Sequence, residues 1–454
     1  MPSLDNLNHV TIPLVEGGKV VVLDTGAVIP PEAQAMLQAL HSRSVGGIFE
    51  HLKALAERGA KGFMSTYYVG YNHKSIGDCG TIIIFIEGVS MLAAKAVQDW
   101  PLYSGQESST RYINFSKQVF RSPIKHRSAS EVLEALRALY LEVLEVLVPE
   151  LARKHPRDES EKEAVYEKAI KARAFDIARS LLPSGANTNL AWISNLRQVA
   201  DKLMLLRHHP LAEVRDIAKA IEEAASVACP NSFGHKRYDA TEGYNAWWMR
   251  DGYLLSSLLA DLPPLSVNSD GVDRGLLWEY RSFLPARPQM TELPRQIGEC
   301  GLVRCEFPLD FGSFRDVQRH RAVLQRMPLV TDTHGFEPWY LNQMPESLRD
   351  KVQEFLRKYA RTTSSFDVSS EEKQYFVPMG YRLPNRLVGG LHALVYLVEL
   401  RASSRVHPTL QIVAHGIAEE LRQQFSDFNL VVHTDDEPGR FDVRRGNDDI
   451  VSVA

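Results

Sequence analysis

The sequence predicts a mixed α and β fold, of the α+β class, built twice in tandem. Three observations carry that prediction. A short block recurs, Ile76-Gly77-Asp78-Cys79-Gly80 and Ile297-Gly298-Glu299-Cys300-Gly301, each time followed by an apolar run and a small residue. A second pair follows in the same order. Leu181-Leu182-Pro183 precedes a stretch ending at Arg207, and Phe376-Val377-Pro378 one ending at Arg401, each leading through a His/Pro break into another helix-like run. Collinear self-similarity is the signature of a duplicated unit. The third observation is that both β and α periodicities occur within one copy.

Taken in order, Val20 to Leu23 and Thr81 to Ile86 are short, β-branched apolar runs, which read as buried strands. Residues 131–148 read as an amphipathic helix, with Leu133, Leu136, Tyr140, Leu144 and Leu147 on one face. Ser128 or Ser130 would cap it and Pro149 would end it. Its counterpart is about 347–359, with Leu348, Val352, Phe355 and Tyr359. The polar stretch from Cys229 to about Gly243 reads as the linker. The expected division is 1–235 for the first copy, 236–435 for the second, and a polar tail over 436–454.

Composition bounds the function classes. The chain has 454 residues, 44% hydrophobic and 24% charged, with a formal net charge of −4. That is the profile of an ordinary globular protein, with no global basic field for a nucleic-acid polymer or an anionic membrane. No run of about 18 apolar residues occurs, and the start lacks the pattern of a secretory signal. The four cysteines, Cys79, Cys229, Cys300 and Cys305, show no C-x-x-C spacing. A reducing, cytoplasmic compartment is expected, without a metal.

Two segments could carry chemistry. Tyr103 to Tyr112 holds a carboxylate, several hydroxyls and Arg111, a set able to receive a phosphate, although a polar loop has the same composition. Arg315 to Arg321 packs four cations into one short stretch. It reads either as a solvated helix face or, at a helix end, as a holder of pyrophosphate or an anionic ring. His73, before the first repeated block, reads as a structural residue more readily than as a base. No P-loop, dinucleotide fingerprint, nucleophile elbow or H-E-x-x-H is present.

In this order, the pieces resemble the flavin-dependent thymidylate synthases, a family of about half this length. Copy one has His73-Lys74-Ser75 with Asp78, Gln106-Glu107-Ser108-Ser109-Thr110-Arg111-Tyr112, Ala178-Arg179-Ser180-Leu181-Leu182-Pro183, Trp192, Asn195, Arg197 and Leu206-Arg207. It departs at the family's Arg-His-Arg, where Asp99, Trp100 and Pro101 stand. Copy two has Glu299, Arg319-His320-Arg321 and Leu400-Arg401, but Met327, Leu329 and Thr331 replace the Glu, Ser and Arg of the nucleotide loop, and Gln374 replaces the Leu-Pro arginine.

The resemblance implies an antiparallel-rich sheet with helices in each copy. It implies FAD, with NADPH and methylenetetrahydrofolate as co-reactants, and methylation of a uridine monophosphate of the dUMP-to-dTMP type. Arg207 would polarise the uracil as the catalytic arginine. Ser109, also catalytic, and Arg111 would hold the phosphate with Arg179, and Glu107 would position their loop. His73, Ser75, Asp78, Asn195, Arg197, Glu299, Arg319, His320 and Arg321 would bind the cofactor. Because each copy keeps what the other has lost, the expected site is shared between the copies, in a homodimer resembling the family's tetramer. A diverged flavoenzyme, or a nucleotide- or FAD-binding protein without turnover, is the alternative.

Overall fold

The computed structural model describes residues 9–23, 30–41, 48–70, 74–108, 115–254, 261–289, 291–404 and 406–435. Nine strands run β1 (His9–Pro13), β2 (Lys19–Leu23), β3 (Thr81–Ser90), β4 (Ser104–Glu107), β5 (Asn187–Asn195), β6 (Ser266–Asn268), β7 (Leu302–Asp310), β8 (Leu324–Arg326) and β9 (Arg382–Gly390) among the described residues. The helices of the first half are α1 (Pro31–His41), α2 (Ile48–Arg58), α3 (Lys61–Phe63), α4 (Met91–Gln98), α5 (Arg127–Lys154), α6 (Glu163–Ala178), α7 (Leu196–Leu206), α8 (Ala212–Ala228) and α9 (Asp239–Asp251). Those of the second are α10 (Arg274–Leu277), α11 (Phe311–Val317), α12 (Pro338–Asn342), α13 (Glu346–Ser364), α14 (Ser370–Lys373), α15 (Leu391–Arg401) and α16 (Pro408–Gln424).

The chain forms two compact units, one of residues 1–108 with 186–254 and the other of 109–185 with 255–454. Unit 1 holds a sheet of order β1-β2-β3-β5-β4 and unit 2 one of order β6-β7-β9-β8. Among the described residues, every strand pair in both sheets is antiparallel. The antiparallel-rich α+β expectation therefore holds. The strand predicted at Val20 to Leu23 lies in β2, and that at Thr81 to Ile86 opens β3, whose residues Ile82, Ile84 and Ile86 are fully buried.

Duplication is visible element by element. The central pair β3–β5 corresponds to β7–β9, with β4 and β8 on the same edge. Each repeated block folds as a 3-10 turn, Lys74–Cys79 and Arg295–Cys300, leading into the central strand. The glycine closing each block has a steric reason. A Cβ on Gly80 would lie 2.5 Å from the Pro31 carbonyl oxygen, and one on Gly301, where φ is +118°, 2.0 Å from that of Gly271.

The cap after each central strand is also shared, with its chemistry exchanged. Ser90 caps α4 and takes its partner from α8: Glu213 Oε2 accepts from Ser90 Oγ at 2.5 Å and Oε1 from Ser90 N at 2.8 Å. Asp310 caps α11 and takes its partner from α16, where Thr409 Oγ1 donates to its Oδ2 at 2.8 Å. The carboxylate sits on the cap in one copy and on the last helix in the other. Both arrangements satisfy buried polar groups with one charge.

In unit 2 the two Leu/Val-Pro segments pair antiparallel about a local two-fold. Ser184 N donates to Val377 O at 2.8 Å and Met379 N to Leu182 O at 2.9 Å. Likewise Gly185 N donates to Tyr375 O at 3.0 Å and Gly380 N to Ser180 O at 2.8 Å. Each bond has its symmetric counterpart. Helix α5 packs on α6 and on α13, its own counterpart, with Lys351 and Glu142 paired between them. This explains why 109–185, which belong to the first copy by sequence, fold within unit 2: their apolar faces are covered there.

Two local expectations change. Helix α5 is longer than 131–148; His126, not a serine, caps it, and Pro149 lies inside it rather than at its end. Burial of Leu147 and Leu151 on either side carries the helix past the lost backbone bond. The stretch 229–243 is not a bare linker, since its last residues begin α9, which belongs to unit 1. The α13 prediction holds, with Leu356 rather than Phe355 among its buried residues.

Candidate functional site

Helix α7 organises the candidate site in unit 1. Its residues Arg197, Ala200, Asp201 and Met204, with Arg207 at its C-cap, recur at helical spacing and line one cavity of about 570 Å³. Tyr68 and Val69 form a second side, Glu222 comes from α8, and Phe233 to Tyr238 with Thr241 and Glu242 form the facing wall. The size suits a small-molecule site.

The cavity mixes apolar surface with paired charge. Arg197 Nε donates to Asp78 Oδ1 at 2.7 Å. Arg237 pairs with Glu222. Arg207 Nε donates to the Leu203 carbonyl at 3.1 Å, whereas its Nη1 is buried, makes no hydrogen bond, and lies 3.8 Å from Glu242 Oε1. Burial, then the nearby Arg237, lowers the Arg207 pKa from its ordinary value. Glu242 also meets His208, Oε2 to Nε2 at 2.8 Å. Burial, helped by Asp201 and Asp78, raises the Tyr68 hydroxyl, which stays protonated and able to donate. The ring of Tyr68 meets that of His235 edge-on at 4.7 Å. The set can therefore grip a planar ligand bearing anionic oxygens.

Among the predicted residues, Arg197 and Arg207 line this cavity and Asp78 touches it through Arg197. Asn195 does not line it; its side chain caps α7, accepting from Gln198 N at 2.8 Å. Ser75 is exposed on the 3-10 turn. Glu107, on β4, accepts from Gln98 Nε2 at 2.7 Å. His73, Ser109 and Arg111 lie outside the described residues.

Where copy one lacks Arg-His-Arg, Trp100 Nε1 donates to Gln198 Oε1 at 3.1 Å, and the Asp99 carbonyl accepts from Lys202 Nζ at 2.7 Å. Lys202 is 3% exposed, and burial lowers its pKa to about 8.

The other predicted residues are in unit 2. Arg319, His320 and Arg321 follow the C-terminal end of α11, where the helix carbonyls favour cations. Arg319 pairs with Asp316 at 3.6 Å, and Arg321 is exposed. Arg401 Nε donates to His320 Nε2 at 2.8 Å, so this histidine is an acceptor. Burial, then Arg401, pushes its pKa down to about 3, and it is neutral at physiological pH. Glu299 accepts from the Tyr280 hydroxyl. Arg179 is 6% exposed. Burial works against its charge, and Tyr340, Asp176, Asp316 and Asp310 more than offset that. It is thus grouped with carboxylates inside unit 2, while Glu107 and Arg207 belong to unit 1. Gln374, at the equivalent position of copy two, instead accepts from Val330 N at 3.0 Å.

Sequence reasoning missed Tyr68, Lys236, Arg237 and Glu242. The signal was the aromatic and basic run Phe233-Gly234-His235-Lys236-Arg237-Tyr238, set aside as part of a linker.

Comparison with known proteins agrees with the motif order. Residues 31–231 match the family described as thymidylate synthase complementing protein. A UPF0159 protein of Chlamydia pneumoniae is 25% identical over 407 residues, covering 77% of this chain and 76% of the relative. One from Chlamydia muridarum is 25% identical over 409 residues, covering 78% and 77%. One from Thermoplasma acidophilum is 23% identical over 438 residues, covering 81% and 87%. Each alignment takes in more of the chain than one copy holds, so both copies are shared with these relatives. Among the described residues, no helix is long and apolar enough to cross a membrane.

Proposed function

We propose that this chain, whose residues 31–231 match the family described as thymidylate synthase complementing protein, methylates a uridine monophosphate, dUMP to dTMP in type, with FAD and methylenetetrahydrofolate. The observation that carries the reading is the unit 1 cavity, where family-motif residues Arg197 and Arg207 line one helix face.

The donor set fits a flavin or nucleotide. Leu203, Met204 and Phe233 offer apolar surface for a flat ring, and the buried Arg207 Nη1 lacks a hydrogen-bond acceptor that a ligand oxygen would provide. When bound, the flavin supplies the hydride that reduces the transferred carbon. The protein's own part is to bind and orient. Arg207 donates to a carbonyl or phosphate oxygen and stabilises negative charge developing on the pyrimidine. Asp78 fixes the direction of Arg197, and Tyr68 donates from a protonated hydroxyl.

The reading extends to a homodimer in the cytoplasm whose nucleotide is shared by the copies, with Ser109 and Arg111 on the phosphate and Arg319, His320 and Arg321 on the flavin side. Its support is the division of the motifs between the copies. The experiment is to measure flavin and nucleotide bound to the purified protein, then to test growth of a thymidine auxotroph expressing it. One FAD per chain and restored growth are expected. A colourless protein that takes up no FAD, or a stoichiometry above one, would overturn the shared site. A second reading, ligand binding without turnover, is favoured by Trp100, which holds Gln198 where the family has its histidine. Bound ligand with no rescue of growth identifies it.

A further inference from the structure

The unit 1 cavity has a wall that the family match does not include. The match ends at residue 231, and the chain then supplies Phe233, Lys236, Arg237, Tyr238 and Glu242 to the cavity. We propose that this segment selects a ligand bearing phosphate, with Lys236 and Arg237 as binding residues and Glu242 as an internal anion that holds Arg207 until the ligand displaces it. The inference rests on the nucleotide-site reading of this cavity and adds its specificity element.

Geometry supports each role. Glu242 spans Arg207 and His208 with one carboxylate, at 3.8 Å and 2.8 Å. At 3.8 Å it neutralises Arg207 without hydrogen bonding to Nη1, so the guanidinium retains a buried donor for a better-placed anion. The Glu242 side chain is 22% exposed, which keeps its exchange cheap. A phosphate offers more acceptor oxygens than the carboxylate and can take two donors from one guanidinium. Lys236 Nζ lies 5.1 Å from the Tyr238 ring centroid, and Arg237 pairs with Glu222. Both cations thus sit on the wall facing Arg197 and Arg207.

The test is isothermal titration of the full chain with dUMP and with FAD, using deoxyuridine and riboflavin as phosphate-free controls. E242Q should tighten the phosphate ligand by about fivefold, the upper range for a partly exposed ion pair, and leave the controls unchanged. K236A/R237A should weaken the same ligand by a similar factor, and E242D, which keeps the charge, should bind like the parent. Circular dichroism of each variant establishes that the fold is intact. Weaker or unchanged binding by a folded E242Q overturns the proposal, as does absence of binding by both parent and E242Q. If E242Q tightens binding while the parent never restores thymidine-independent growth, the catalytic reading falls and this one stands. If the parent restores growth and E242Q binds unchanged, the reverse holds.

Discussion

Exchanging the two capping arrangements tests whether the copies are variants of one design. In copy one, Ser90 is fully buried and Glu213 is 8% exposed, with two hydrogen bonds between them. Glu213→Ala strands the Ser90 amide and hydroxyl, each worth about 1–3 kcal/mol when buried without a partner. Relief of the buried carboxylate offsets part of this, leaving a loss of about 2–4 kcal/mol. Ser90→Asp alone sets a second carboxylate against Glu213. One of the two must then take up a proton, a shift of roughly two units or about 3 kcal/mol at neutral pH. Ser90→Asp with Glu213→Thr recreates the Asp310–Thr409 chemistry of copy two. The combined side chains are one bond shorter than Ser with Glu, so recovery should be partial, with a favourable coupling of about 2 kcal/mol. Urea unfolding followed by tryptophan fluorescence measures this, since the fully buried Trp192 on β5 reports on unit 1. Additivity of the single changes within about 0.5 kcal/mol would refute the reasoning.

Three further outcomes are expected. Lys202 loses its proton near pH 8 in the folded chain but at about 10.4 unfolded. The unfolded chain therefore binds more protons between those values and stability rises with pH across that window; K202M should remove the rise in a pH series of urea midpoints. His320 titrates near 3 when folded, so its ring should stay neutral by nitrogen NMR from pH 8 down to 5, and stability contributed by the neutral ring should fade as pH drops below about 6.5. A ring that titrates near 6.5 would exclude the Arg401 bond. Gly301→Ala places a Cβ 2.0 Å from a carbonyl oxygen at φ +118° and should abolish cooperative unfolding of unit 2, whereas Gly234→Ala, with open space around it, should leave stability within about 0.5 kcal/mol.

The duplication, the α+β class and the central strands were readable in the sequence, because each rests on order and short-range period. Ile76 to Gly80 and Ile297 to Gly301 announce one turn used twice, and the isoleucines of β3 alternate into a core. Arg197 and Arg207 could likewise be picked out by motif, and they fall on one helix face. Tertiary structure decided the rest, since it depends on partners far apart along the chain. Pro149 stays helical because Leu147 and Leu151 are buried around it. Arg179 lies among Asp176, Asp310 and Asp316 because residues 109–185 find their apolar partners in unit 2. Glu242 became part of the site only when α9 brought it to Arg207 and His208, across a stretch whose local composition reads as a linker. A sequence states which groups are available locally; burial and charge pairing between distant segments determine which of them meet.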